Sequence, residues 1–276
     1  MSACIKSILA QTYQNWEAII VDNYSVDNTA QIVSSYDDRR IIFVQNHNYG
    51  VISVSRNKAL DLATGDWICF LDSDDAWVPN KLETLLEYVH DYDLIYHGYM
   101  RNFKRSLKTL FLNKYSFFYD VKEPSVAYVL QRGDPFNPSC TAVAKSVIGD
   151  TRFSEEKSLI AVEDYDFFLQ LLEKSIKIKY IRKPMTIYDL SGCSHDGNSY
   201  MRDQKIINKW GNRLNEEEKK ELYLQECFRK ANDLMNEKYF ADAIPLYKEV
   251  INTKINSKKY LAIRNLLYCK VMVLFI

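Results

Sequence analysis

The sequence predicts an α/β fold: a mostly parallel sheet covered by helices on both faces, followed by an α-helical extension. Two patterns carry this expectation. Through the first hundred residues, short continuous apolar runs alternate with segments of helical period, the rhythm of βαβ units buried on both faces. From about residue 203 the composition changes and charged, helix-period sequence takes over. At 276 residues with 47% hydrophobic composition, the chain can bury a sizeable core and carry an appendage. The expected domains are residues 1–202 and 203–276.

Taken in order, Ile5, Ile8 and Leu9 mark a first helix, EAIIVD (17–22) a buried strand and NTAQIVSSY a helix. RIIFVQN (40–46) reads as a strand, SVSRNKALDLA as a helix and DWICFLD (66–72) as a third strand. A helix in NKLETLLEYVHD, opened by Pro79 and Asn80, leads to the strand DLIYHGYM (93–100). Prolines 124, 135 and 138 mark loops in a middle region of weak periodicity, where CTAVAK (140–145) is a candidate strand. EDYDFFLQLLEK (163–174) sets apolar residues 167, 168, 171 and 172 on one helical face, and KIKYIRKPMTIYDL (177–190) is extended.

Lys plus Arg and Asp plus Glu both number 36, so no electrostatic excess points to nucleic acid as a partner. The six cysteines are scattered without metal-ligand spacing, as expected of reduced thiols in a cytoplasmic protein. No apolar window reaches membrane-spanning length.

The chemistry concentrates in FLDSDDAW (70–77), three carboxylates directly behind a strand. In α/β sheets ligands bind beyond the carboxyl ends of strands. If the chain stays extended, Asp72 and Asp74 face one pocket and Asp75 turns away. Two such carboxylates repel unless a cation intervenes, and hard oxygen donors favour Mg2+ or Mn2+ completed by water and phosphate. The competing assignment is that these aspartates cap the following helix. Glu163 and Asp164 likewise have two readings, a catalytic carboxylate or acids stabilising a helix N-terminus. His47, His90 and His97 are isolated and form no ligand pattern.

SILAQTYQNWEAIIVDNYSVDNT, NYGVISVSRNKALDLATGDWICFLDSDDAW and VEDYDFFLQL, in that order, resemble the family 2 glycosyltransferases of GT-A fold over about residues 2–195. The resemblance implies transfer of a sugar from a UDP- or GDP-linked donor to a glycan or lipid-linked hydroxyl, usually with inversion, in surface polysaccharide synthesis. Position by position it implies that Asp22 and Asn23 contact the base, with Asn23 where the family usually has Asp. Arg56 lies near base and phosphates, with a solvated helix charge as its other reading. Asp72 contacts ribose, Asp74 ligates the metal and Asp164 is the catalytic base, preceded by Glu163. Trp77 packs beneath the site or borders the acceptor pocket. His195 lies in SGCSHDGNS, where relatives carry a segment over the donor, though Asp189 follows Tyr188 where Arg is frequent. Family members usually begin with a strand that precedes the helix containing SACIKSILAQTY. That strand is expected to be missing here, which would leave its neighbours with unpaired edges and the chain unstable or weakly active.

In the tail, Asn215 is an expected helix cap, and Ala231, Leu234, Phe240, Ala243, Ile244 and Tyr247 resemble a tetratricopeptide-type hairpin. Tyr260, Ile263, Leu267, Val271 and Leu274 fall at helical steps, so a third helix is expected to cover the hairpin with that face; the competing role is an amphipathic contact peripheral to the inner face of the membrane. The alternative for the whole chain is an inactive sugar-nucleotide-binding or scaffold protein. A phosphoryl-transfer enzyme is disfavoured, because no Gly-rich phosphate loop is present among eight glycines.

Overall fold

The computed structural model describes residues 1–102, 115–189, 199–252 and 258–273. The chain divides into two compact units, residues 1–125 with 134–193, and residues 126–133 with 194–276.

The first unit opens with helix α1 (Ser2–Leu9), which buries Cys4 and Ile5. Strand β1 (Ala18–Asp22), helix α2 (Thr29–Ser34) and strand β2 (Ile41–Gln45) form a βαβ unit, its strands paired in parallel from Ala18 opposite Ile41 to Asp22 opposite Gln45. Helix α3 (Ile52–Leu62), strands β3 (Trp67–Cys69) and β4 (Ala76–Trp77), helix α4 (Lys81–Leu86) and strands β5 (Leu94–Asn102) and β6 (Tyr115–Ser116) follow. Helix α5 (Val126–Arg132) belongs to the second unit. Strand β7 (Thr141–Ala144), helices α6 (Lys145–Ile148) and α7 (Glu163–Leu172) and strand β8 (Ile178–Asp189) complete the first.

Six strands form one sheet in the order β3-β7-β5-β8-β4, with β6 on β5. β5 and β8 pair in parallel, whereas β3–β7, β7–β5, β8–β4 and β5–β6 are antiparallel. The three longer-predicted strands β3, β5 and β8 therefore share one direction. The ladders are mostly antiparallel because the fully buried β7 is inserted between β3 and β5 and runs against both. Among the described residues β1 pairs only with β2 and β3 only with β7, so each keeps one edge without a strand partner. The starts of β1 and β3 are nonetheless tied, because Glu17 Oε1 accepts from the Thr64 and Gly65 amides at 2.6 and 2.9 Å.

Helix α7 is buried on nearly all sides, with Phe167, Phe168, Leu171 and Leu172 wholly or almost wholly enclosed. Phe167 stacks on Phe153 at 4.0 Å between ring centroids and meets Phe70 edge-on. This aromatic packing fixes the helix whose first turn carries Glu163 and Asp164.

The second unit is helical: α5 with α8 (Ser199–Trp210), α9 (Glu216–Asn236), α10 (Phe240–Ile251) and α11 (Lys259–Val273). Asn215 and Glu218 form a reciprocal capping box at the start of α9, with bonds of 2.9 and 2.8 Å. Ala231, Phe240, Ala243 and Tyr247 form the hairpin core, with Leu234 and Ile244 packed against it. Helix α11 covers this core, but through Ala262, Asn265 and Cys269. The predicted face is reversed: Tyr260, Ile263, Leu267 and Val271 are exposed, and Leu274 lies outside the described residues. Asn265 decides the side, because its amide finds Asn232 Oδ1 at 3.0 Å only when turned inward.

The five described cysteines are free thiols, and Cys193 lies outside the described residues. Among the described residues no helix is long and apolar enough to cross a membrane.

Candidate active site

Asp22 ends β1 in a buried position. Its carboxylate accepts from the backbone amide and hydroxyl of Ser25 and from Gln45 Nε2 at 3.2 Å. Burial pushes its pKa up, but these hydrogen bonds outweigh burial and hold it below the usual carboxylate value. Asn23 is exposed and its Oδ1 accepts from the Asn48 amide at 2.9 Å, joining the loops that follow β1 and β2.

The strand predicted to run through Asp72 ends at Cys69. Residues 72–75 form a turn closed by the Asp75 amide on the Asp72 carbonyl at 3.0 Å, so the expected extended conformation is replaced by a reversal that feeds β4. In this turn Asp74 is exposed, Asp72 is half-buried and Asp75 is buried. Ser139 anchors the turn from below. Its hydroxyl accepts from the Asp72 amide at 3.0 Å, while its carbonyl takes Trp77 Nε1, Lys81 Nζ and Thr186 Oγ1 at 2.9, 3.1 and 2.7 Å. Trp77 is only 6% exposed, with the Lys81 ammonium 3.6 Å from its ring centroid, so its surface is spent on packing beneath the turn.

Arg56, on α3, brings the separate carboxylates together. Its guanidinium lies 3.0 Å from Glu163 Oε1 and 3.3 Å from Asp72 Oδ1. Burial works against its charge, but Asp72, Asp164 and Glu163 prevail and raise its pKa above the ordinary arginine value. The neighbouring Asn57 donates to the Phe153 carbonyl and accepts from the Phe153 amide, both at 2.9 Å, clamping α3 to the segment before α7.

Asp164 is half-buried at the start of α7 and accepts from the Tyr165 amide at 2.8 Å. Burial first, then the Glu163 charge, push its carboxyl up to about 6, against the opposing pull of Arg56. Such a group changes protonation near neutral pH and can accept a proton. Glu163 is buried, and Asp166 is fully buried with Gln170 Nε2 at 2.9 Å, turned away as a helical position two residues on requires.

Arg56, Asp72, Glu163 and Asp164 thus converge, Asp74 lies on the adjoining turn, and Asp22 and Asn23 stand at the carboxyl end of β1. His195 lies outside the described residues. His97 is buried against the Gly98 carbonyl, its pKa driven well down by burial, and His47 stacks on Tyr24 at 4.0 Å. Sequence reasoning missed Ser139, Lys81 and Asn57. NKLETLL gives no sign that its lysine is enclosed, and nothing in FNPSCTAV distinguishes a structural serine. A cleft of about 590 Å³ lined by Asp66, His90, Asp93, Lys145 and Lys177 lies instead at the amino ends of β3 and β5, away from the carboxylates.

Solved glycosyltransferases share this fold. S. aureus TarS (residues 1–349, in complex with UDP) superposes with a TM-score of 0.55 over 98% of this chain and 83% of that one, at 17% identity. A mannosyltransferase from Pyrobaculum calidifontis, in complex with GDP-Man and Mn2+, gives 0.58 over 98% and 81% at 14% identity. These likenesses define a GT-A glycosyltransferase fold. The family model for glycosyl transferase family 2 matches residues 1–148, and the chain belongs to that family. The Escherichia coli enzyme UDP-Glc:alpha-D-GlcNAc-diphosphoundecaprenol beta-1,3-glucosyltransferase WfaP is 31% identical over 219 residues, 76% of this chain and 80% of its own length. The putative colanic acid biosynthesis glycosyl transferase WcaA of E. coli K12 is 33% identical over 61% of this chain and 60% of its own length. The protein is a glycosyltransferase whose relatives include enzymes of polysaccharide biosynthesis.

Proposed function

We propose that this glycosyltransferase moves a sugar, with inversion, from a UDP- or GDP-linked donor to a hydroxyl of a glycan or lipid-linked acceptor, in the cytoplasm, as a step of surface polysaccharide assembly. The reading rests on one arrangement above all: Arg56 ties the Asp72 turn to the α7 terminus, where Asp164 is poised near pH 6.

Asp22 and Asn23 would receive the base and Asp72 the ribose. Among the described residues no group of three His, Cys, Asp or Glu side chains can hold a metal alone. The exposed Asp74 nonetheless fits Mg2+ or Mn2+, which keep several water and phosphate ligands beside one or two carboxylates. When bound, such an ion supplies positive charge to the departing diphosphate. Arg56 adds fixed charge beside the same turn. Asp164 removes the acceptor hydroxyl proton as that oxygen bonds to the anomeric carbon from the face opposite the leaving diphosphate. The bond from that carbon to the diphosphate oxygen breaks, its electron pair leaves with the nucleoside diphosphate, and the proton remains on Asp164.

Calorimetric titration of UDP- and GDP-sugars with Mn2+ and with chelator, followed by assay of nucleoside diphosphate release, tests this. Metal-dependent binding with turnover is expected. Equal affinity under both conditions removes the metal, absence of binding removes the donor, and binding without transfer to any acceptor favours the scaffold alternative.

A further inference from the structure

Helix α11 is apolar on both sides. One side packs into the helical core through Ala262 and Cys269. On the other, Tyr260, Ile263, Leu267 and Val271 recur at helical steps and are 78%, 39%, 58% and 51% exposed. A helix that is apolar all round is ordinarily covered all round, and a contiguous exposed apolar stripe marks an interaction surface. Charge identifies what the stripe meets. From residue 250 to 276 the sequence carries Lys254, Lys258, Lys259, Arg264 and Lys270 and no Asp or Glu, in a chain whose acids and bases balance overall. At 3.6 residues per turn, Lys270 borders one side of the stripe and Arg264 the other, and both are exposed.

An apolar strip bracketed by long cationic side chains suits a lipid–water interface: the strip enters the acyl boundary while the cations reach the headgroups. We infer that the outward face of α11 docks this protein on a bilayer containing anionic phospholipid. Contact through one short helix is weak and reversible, and its electrostatic share falls with salt. The inference stands apart from the donor chemistry and is read out without any sugar nucleotide.

The test is flotation of the full chain with vesicles of phosphatidylcholine alone or mixed with phosphatidylglycerol, at low and high salt. Binding is expected on the mixed vesicles, weakening as salt rises. Arg264→Gln with Lys270→Gln should lower partitioning roughly 25-fold, about fivefold for each cation near the surface. Leu267→Glu with Val271→Glu should abolish it, with the circular dichroism spectrum unchanged because both side chains already face water. Failure to float with anionic vesicles, equal binding to both compositions, or wild-type flotation of either double variant overturns the inference. A concentration-dependent dimer that Leu267→Glu with Val271→Glu dissolves also overturns it, assigning the stripe to a second copy of the chain.

Discussion

Replacing Asp164 by asparagine should make the protein more stable and less active at once, with the stability gain confined to one side of a pH window. The folded state pushes this carboxyl from 3.8 to about 6, chiefly through burial. A rise of that size is worth about 3 kcal/mol between the two protonation states. The sign follows from proton binding. The folded protein holds this proton more tightly than the unfolded chain, so the group costs nothing below pH 4, where both states are protonated. The cost grows between pH 4 and 6 and is complete above 6. Asparagine keeps the shape and has no proton to lose. Because the side chain is only partly enclosed, solvent screening reduces the gain at pH 8 to about 2 kcal/mol, a rise of a few degrees in melting temperature for a chain of this size. Turnover of the same variant should fall on the order of 100-fold or more, with donor affinity retained. Thermal melts at pH 4 and pH 8 beside a nucleoside diphosphate release assay decide the matter. An equal gain at both pH values, a loss at pH 8, or undiminished turnover would refute the reasoning.

Other outcomes are expected from the same geometry. Glu163→Gln removes a charge that raises the Asp164 pKa, so the acid limb of kcat/KM should move from about 6 to lower pH, whereas Arg56→Met should move it to higher pH; limbs moving together would break the proposed coupling. Asp74→Ala should erase the difference between Mn2+ and chelator in donor titrations, and a variant that keeps full metal dependence would place the ion elsewhere. Asn215→Ala dismantles the capping box and should cost the helical unit about 1 kcal/mol in calorimetric melting while donor affinity stays constant.

Much of this molecule was legible because burial writes itself into sequence as period. AIIVD, IIFVQ and the apolar half of DLIYHGYM are continuous greasy runs, and each became a strand within a residue or two of its predicted limits. EDYDFFLQLL became a helix with its four predicted core residues enclosed. The carboxylates of the candidate site were legible by type and position after strands and at a helix start. Their mutual arrangement was not, because it depends on Arg56 reaching residues 16 and 107 positions away. Period also carries no direction, so the antiparallel insertion of β7 between β3 and β5 left no mark in CTAVAK.

The remaining failures share a cause: a polar group that settles a choice between nearly equal apolar options. Lys81 reads as an ordinary solvated residue of an amphipathic helix, yet it is wholly buried, its amine pushed down to about 8 by that burial. It is held there because the Trp77 ring and the Ser139 carbonyl accept its charge, and Ser139 in turn holds the Asp72 amide. In α11 both faces offer similar apolar surface, so counting hydrophobic residues could not choose between them. The inward face carries Asn265, satisfied by Asn232 at 3.0 Å. Turning the opposite face inward would forgo the Asn265 hydrogen bond to Asn232 Oδ1, which also accepts from the Tyr247 hydroxyl at 2.7 Å, a loss of about 1 kcal/mol. That hydrogen bond favours the face that packs, and the larger side chains Tyr260 and Leu267 are turned outward.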